Sequence, residues 1–255
     1  YSAASARWPA AHSRSSAAAR EAALRRDLRL TIQRARPRGI VTPEVVAAFA
    51  MLHMETDDGL PIVPAAHHWL WLRLICDPAV KQLLIVGTPE SAKTTWMMAY
   101  AACLIGFHPE WPGIIAAVSG PVAEKRSLAL RNMVESAAFR ETFPTVLPAA
   151  GMSWQVHEWS VAEEGRPHPG RLHPTIAAYG TGGSITGSRA RYVIADDILD
   201  EDNTRTQHQR ELVDRWFHSS LKSRLQARHG RMVVIAGGWR HDGGVARVRR
   251  SEGWV

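Results

Sequence analysis

Cysteine is nearly absent: the 255-residue chain has two, Cys76 and Cys103. Two thiols cannot staple a chain of this length, which excludes a disulfide framework and fits a reducing compartment. No apolar run approaches the roughly 18 residues that a membrane-spanning helix needs. The opening Tyr1-Ser-Ala-Ala-Ser lacks the apolar centre of a signal peptide. It also lacks an initiator Met, so the chain reads as a processed or truncated stretch of something longer. There is no internal repeat. What is present is a hydrophobic fraction of 45%, enough for a real core and against wholesale disorder. The length suits one large α/β domain, or one domain with appendages. A net charge of +7 permits a polyanionic partner such as DNA without requiring one.

Residues 1–40 are rich in Ala and Arg. Ser16 to Arg34 reads as a helix, with Ala19, Leu24, Leu28, Leu30 and Ile32 among many arginines. It is either a solvated appendage or a contact for DNA or a protein partner. Thr42-Pro43-Glu44 opens a second helix, with an N-cap, a proline at the first helical position and an acid at the positive dipole end. A third spans Ala65 to Cys76 and stops at Asp77-Pro78. From residue 81 short β-rich runs alternate with helices. Strands are expected at Leu83–Val86, Gly113–Val118, Tyr192–Ala195 and Met232–Ala236, and helices at Lys93–Ile105 and Ala123–Ser136. Nearly pure apolar strands of this kind are buried on both faces of a parallel sheet. Residues 152–188, rich in Gly, Pro, Trp and Thr, read as hairpins and loops with an exposed tip at Arg166–Gly170.

After the first strand comes Gly87-Thr88-Pro89-Glu90-Ser91-Ala92-Lys93-Thr94-Thr95 and then a helix. The pattern is that of a phosphate-binding loop, a Walker A motif, with Ala92 in place of its second glycine. Loop N–H groups and the helix N-terminus cradle phosphate. Lys93, at an exposed helix start, would lie on the β- and γ-phosphates, and the Thr94 hydroxyl would ligate Mg²⁺. If residue 92 needs a positive φ, alanine costs on the order of 1 kcal/mol there. The strand Arg191-Tyr-Val-Ile-Ala-Asp196-Asp197 ends in two carboxylates, a Walker B arrangement. At the carboxyl end of a parallel strand they face the crevice where α/β folds bind ligands. Asp196 would hold Mg²⁺, and Asp197 would orient or deprotonate the attacking water. Asp is one methylene shorter than the Glu common at that position, so Glu201 is the reserve base. The last strand runs into Gly237-Gly238-Trp239-Arg240-His241-Asp242, which reads either as a backbone passing close to a ligand, with residues that could sense the γ-phosphate, or as a Gly-rich turn with exposed polar groups.

Three segments together resemble the ATPase domain of phage large terminases, over roughly residues 65–255. They are the phosphate loop with the following Val118-Ser119-Gly-Pro-Val-Ala-Glu-Lys-Arg element and the run to Phe143-Pro144; the Gly-rich Pro174 to Asp197 segment; and Gly237 to Asp242. The resemblance implies a P-loop NTPase fold of the ASCE, RecA-like kind, with a mainly parallel sheet flanked by helices. With the helical pattern read above, residues 1–60 are expected as an N-terminal helical appendage and 61–255 as the ATPase domain. The activity implied is Mg²⁺-dependent ATP hydrolysis that drives double-stranded DNA into a procapsid. The implied partners are the portal protein, the small terminase subunit and further copies of the chain in a pentameric ring, and the implied place is the host cytoplasm, transiently at the portal, with no membrane. Gly237, Gly238, Trp239 and Arg240 would couple hydrolysis to movement. His68 and Trp69 precede the loop where the family places its base-contacting segment, although the tryptophans of this helix are equally core candidates. Arg189 is the expected finger reaching a neighbour's ATP, with Arg191 better suited to a structural ion pair. The family's second, nuclease domain has no counterpart here, so no cutting is expected of this chain. Departures are Ala92, the absence of an arginine inside the phosphate loop, and Gly238 where the coupling motif has Thr. Two other readings stay open: a helicase-like nucleic-acid ATPase, and a DNA- or capsid-docking module with a decayed nucleotide site.

Overall fold

The computed structural model describes residues 10–185, 187–237 and 253–255. Three helices precede the sheet: α1 (Ala10–Ala35), α2 (Pro43–His53) and α3 (Ala66–Cys76). α1 is longer than its apolar pattern suggests, because the alanine-rich stretch before Ser16 is itself strongly helix-forming. It buries Ile32 and packs Leu28 on the core, while Arg36 just beyond it pairs with Glu163 at 2.8 Å. α2 starts as expected: the Thr42 side chain accepts from the Val45 amide and Pro43 follows it. Val45 to Ala50 and Leu52 are all buried, so this helix is apolar around most of its circumference and lies inside the molecule.

The strands are β1 (Gln82–Gly87), β2 (Gly113–Ala117), β3 (Val146–Pro148), β4 (Glu158–Trp159), β5 (Val161–Glu163), β6 (Ile176–Gly180), β7 (Tyr192–Asp196) and β8 (Arg231–Gly237). Among the described residues, six form one sheet in the order β1-β8-β7-β2-β6-β4, while β3 and β5 pair separately. β1, β8, β7, β2 and β6 run parallel, and β4 is antiparallel to β6. Every second residue faces the same layer. Ile85, Ile115, Ile194, Val233 and Ile235 face a core shared with α2 and with α4 (Lys93–Phe107). Ile114, Val193, Ala195, Met232 and Val234 face the other side, where Trp216, Phe217 and Leu221 pack. The last three lie in a π-helical turn, Trp216–Leu221, that continues α8 (Gln207–Arg215); the short α7 (Glu201–Thr204) precedes it.

β6 lies in the segment expected to be hairpins and loops. Ile176 and Tyr179 favour a strand but Ala177, Ala178 and Gly180 do not; pairing with β2 makes the run a strand. Gly180 ends it against the start of α5 (Gly120–Glu135), where a Cβ would stand 2.2 Å from the Gly120 nitrogen. α5 leads into α6 (Ala137–Thr142), whose Ser136 cap accepts from the Phe139 amide. Among the described residues no helix is long and apolar enough to cross a membrane.

Candidate nucleotide site

The parallel strands bring Gly87, Ala117, Gly180, Asp196 and Gly237 to one edge of the sheet. There the loop from Gly87 to Ala92 turns into α4. Two of its non-glycine residues have positive φ, Glu90 at 65° and Ala92 at 56°. Ala92 is thus in the left-handed conformation that its missing glycine would adopt freely, and it is also the N-cap of α4. The loop keeps its shape despite the substitution and stores backbone strain at that position.

Lys93 differs from its sequence expectation: it is not exposed but 8% accessible. Its ammonium folds into the loop and donates to the Gly87 and Thr88 carbonyls at 2.9 and 2.7 Å. Ser91 Oγ donates to the Thr88 carbonyl at 2.7 Å, tightening the same turn. The remaining loop residues, Thr88, Pro89 and Glu90, face solvent, and Thr95 is half-buried in the first turn of α4.

Thr94 and Asp196 meet across 102 residues of sequence, with Thr94 Oγ1 donating to Asp196 Oδ1 at 2.9 Å. Arg126, on α5, donates from Nε to the other carboxylate oxygen at 3.0 Å. Asp196 is 2% exposed. Burial pushes its carboxyl above the ordinary range, and the Arg126 charge and the Thr94 hydrogen bond oppose that shift. A hydroxyl and a carboxylate oxygen side by side at a helix N-terminus are hard donors suited to Mg²⁺, which keeps most of its shell for water and phosphate. Among the described residues no three His, Cys, Asp or Glu side chains gather into a metal cage, so an ion here would rest on this pair.

Asp197 is exposed, with φ 46°. Its carboxylate accepts from the Gly237 amide at 3.0 Å, and its own amide donates to the Ile235 carbonyl. The acidic strand end and the glycine exit of β8 are therefore tied directly. Gly238, Trp239 and Arg240 lie outside the described residues. Glu201 opens α7, and its side chain likewise lies outside them. Thr181, just past β6, donates to the Ala117 and Ile198 carbonyls at 3.2 and 3.0 Å and so ties the ends of β6 and β2 to the segment after β7.

His68 reaches the loop rather than standing apart. Its Nδ1 accepts from the Ala65 amide at 2.9 Å, so Nε2 carries the proton and donates to the Ser91 carbonyl at 3.0 Å. Burial lowers its pKa, partly offset by that bond. The ring also lies 5.0 Å from Trp96, which is fully buried. Trp69 is half-buried against the core. Arg189 and Arg191 lie at the opposite edge, before the start of β7. Arg189 is exposed, and its charge helps depress the pKa of His173 after burial does. Arg191 makes no ion pair among the described residues; its guanidinium sits 4.4 Å over the Trp111 ring instead. An open cavity of about 710 Å³, lined by Arg36, His108, Trp111 and Glu163 among others, is at the far end of α4 and contains none of the loop residues.

Sequence reading gave Arg126 and Thr181 no role. Arg126 had one available signal: it lies seven residues past Ser119, on the helix that starts at the end of a parallel strand.

A strand–loop–helix with this geometry, an acidic strand end, and a strand (β8) inserted between the two define the class: a P-loop NTPase fold of the ASCE, RecA-like kind. Within that class the chain is similar to the large terminase of bacteriophage HK97, with a TM-score of 0.55 at 13% identity over 84% of this chain and 43% of that one. The likeness is one of fold, and the chain spans less than half of the HK97 protein. The ATPase domain of the Thermus phage P74-26 large terminase gives a TM-score of 0.45 at 18% identity, over 64% of this chain and 61% of that one. No family model and no curated protein matches.

Proposed function

We propose that the chain is the ATP-hydrolysing motor domain of a large terminase, which translocates double-stranded viral DNA into a procapsid. The observation that carries the reading is the 2.9 Å contact between Thr94 and Asp196. It joins the phosphate loop to the acidic strand in a fold shared with a large terminase. Loop amides and the α4 N-terminus would take the β-phosphate, and Lys93 would exchange its loop carbonyls for phosphate oxygens. Mg²⁺, held by Thr94 and Asp196, would neutralise charge between the β- and γ-phosphates. Asp197 is the base or water-orienting group, with Glu201 in reserve. Its bond to Gly237 offers the route by which hydrolysis is felt at Gly237 to Arg240. Ala92 argues against a decayed site, because the loop holds the needed left-handed turn with alanine in place.

Arg189 completes the reading. At the sheet edge away from its own loop, it suits a neighbour's nucleotide in a ring of copies, pentameric by family resemblance. The portal, the small terminase subunit and DNA are the proposed partners, in the host cytoplasm. The test is ATP turnover with and without portal-bearing procapsids. A folded Lys93→Ala chain should lose at least about a hundredfold in turnover. Arg189→Ala and Asp197→Asn, each inactive alone, should regain activity when mixed. Normal turnover in Lys93→Ala overturns the site; full activity of a dilute Arg189→Ala monomer overturns the finger.

A further inference from the structure

Arg126 stands where the phosphate loop has no arginine of its own. Among the described residues its guanidinium makes one bond, from Nε to Asp196 Oδ2 at 3.0 Å, while the other oxygen of that carboxylate receives Thr94. Thr94 is in the first turn of α4, where the loop amides converge. The guanidinium is therefore one carboxylate away from the phosphate-binding helix end. Its two terminal nitrogens make no hydrogen bond or ion pair among the described residues, and the side chain is 36% exposed. A fork held at Nε, with both terminal nitrogens unbonded among the described residues, is preorganised to take an oxyanion bidentately. α5 itself is anchored beside the site, because its N-terminus abuts Gly180 too closely for any side chain there.

We propose that Arg126 is the chain's own sensor of the terminal phosphate: with Nε kept on Asp196, its terminal nitrogens bind the γ-phosphate of ATP. This rests on the nucleotide-site reading above. It assigns to α5 a role separate from that of Arg189, since Arg126 reads its own subunit's nucleotide and needs no neighbour. Lys93, buried in the loop, meets both di- and triphosphate. Arg126, joined to the loop's helix only through Asp196, meets only the triphosphate.

The test is equilibrium binding of fluorescent ATP and ADP to the full chain, measured in Mg²⁺ and again in EDTA. Arg126→Ala should lower the ATP-to-ADP affinity ratio by on the order of tenfold to a hundredfold in both media, chiefly through ATP. Arg126→Gln keeps a neutral N–H for Asp196 and guards against loss of fold; it should show the same loss. Lys93→Ala should weaken both nucleotides. An unchanged ratio in a folded Arg126→Gln protein overturns the sensor while leaving the site intact. Failure of the wild-type chain to bind either nucleotide in a Lys93-dependent way overturns the site and the sensor together.

Discussion

At the C-terminal edge of the sheet, Arg126 makes one bond among the described residues and leaves two nitrogens without a partner there. At the N-terminal edge, Arg171 spends its guanidinium entirely on the fold. It donates to the Val161 and His173 carbonyls at 2.6 and 3.0 Å, and to Thr175 Oγ1 at 2.6 Å. Arg231 is similar, bonded to the Ile75 and Asp77 carbonyls and to the Tyr100 hydroxyl. Arg171 and Arg231 thus close gaps in the backbone at one edge, while Arg126 keeps two nitrogens unbonded, among the described residues, at the other. Parallel strands explain the division. Their C-terminal ends point toward turns into helices whose free amides attract anions. Their N-terminal ends receive chain from loops and helix ends whose spare carbonyls need donors.

The contrast breaks most sharply with paired substitutions. On the proposed function, Asp197→Asn should lower turnover by about a hundredfold or more and leave nucleotide affinity within about threefold, because the proposed water-orienting group is lost while Asp196 and Lys93 remain. Arg171→Ala should do the reverse: about 2–4 kcal/mol less stable in urea unfolding, from several orphaned buried acceptors, with unchanged turnover per folded molecule. Reversal of either pattern would erase the distinction between the edges.

Acid should strike the packed side first. His53, at the end of α2, bonds Thr142 through Nε2 at 3.1 Å. Burial, then the Arg29 and Arg25 charges, lowers its pKa to about 4 from 6.5. The unfolded chain therefore binds more protons between these values. The stabilisation is full above pH 6.5 and is lost as pH falls toward 4, amounting to about 2–3 kcal/mol. His53→Gln should flatten that part of the pH–stability profile, and an equal slope in the two proteins would remove His53 as its cause. The smallest effect is expected at the loop. Ala92→Gly relieves a left-handed alanine and should stabilise the chain by about 1 kcal/mol. A lower melting temperature would show that the turn is not strained.

Much of the candidate nucleotide site could be read from the chain because local chemistry dictates it. A short apolar strand followed by Gly87 to Thr94 has few ways to end other than in a helix N-terminus presenting Lys93 and Thr94. The Tyr192–Asp196 strand is so apolar that its terminal carboxylates are conspicuous. β6 was not legible because two alanines and a flanking glycine carry no strand signal; only the open edge of β2 makes Ile176–Gly180 extended. The burial of Lys93 was equally hidden, since it depends on the loop closing over the side chain.

The sequence by itself determined the elements whose signals are local: the capped start of α2, the loop, the acidic strand and the α/β alternation. Tertiary structure alone decided which distant residues share the site. Asp196 receives Thr94 from 102 residues away and Arg126 from 70, and Gly237 meets Asp197 across 40. Those pairings follow from strand order, with β8 between β1 and β7 and β2 beyond β7. Strand order is set by how apolar faces of whole elements pack together, a sum over the core that no single motif encodes.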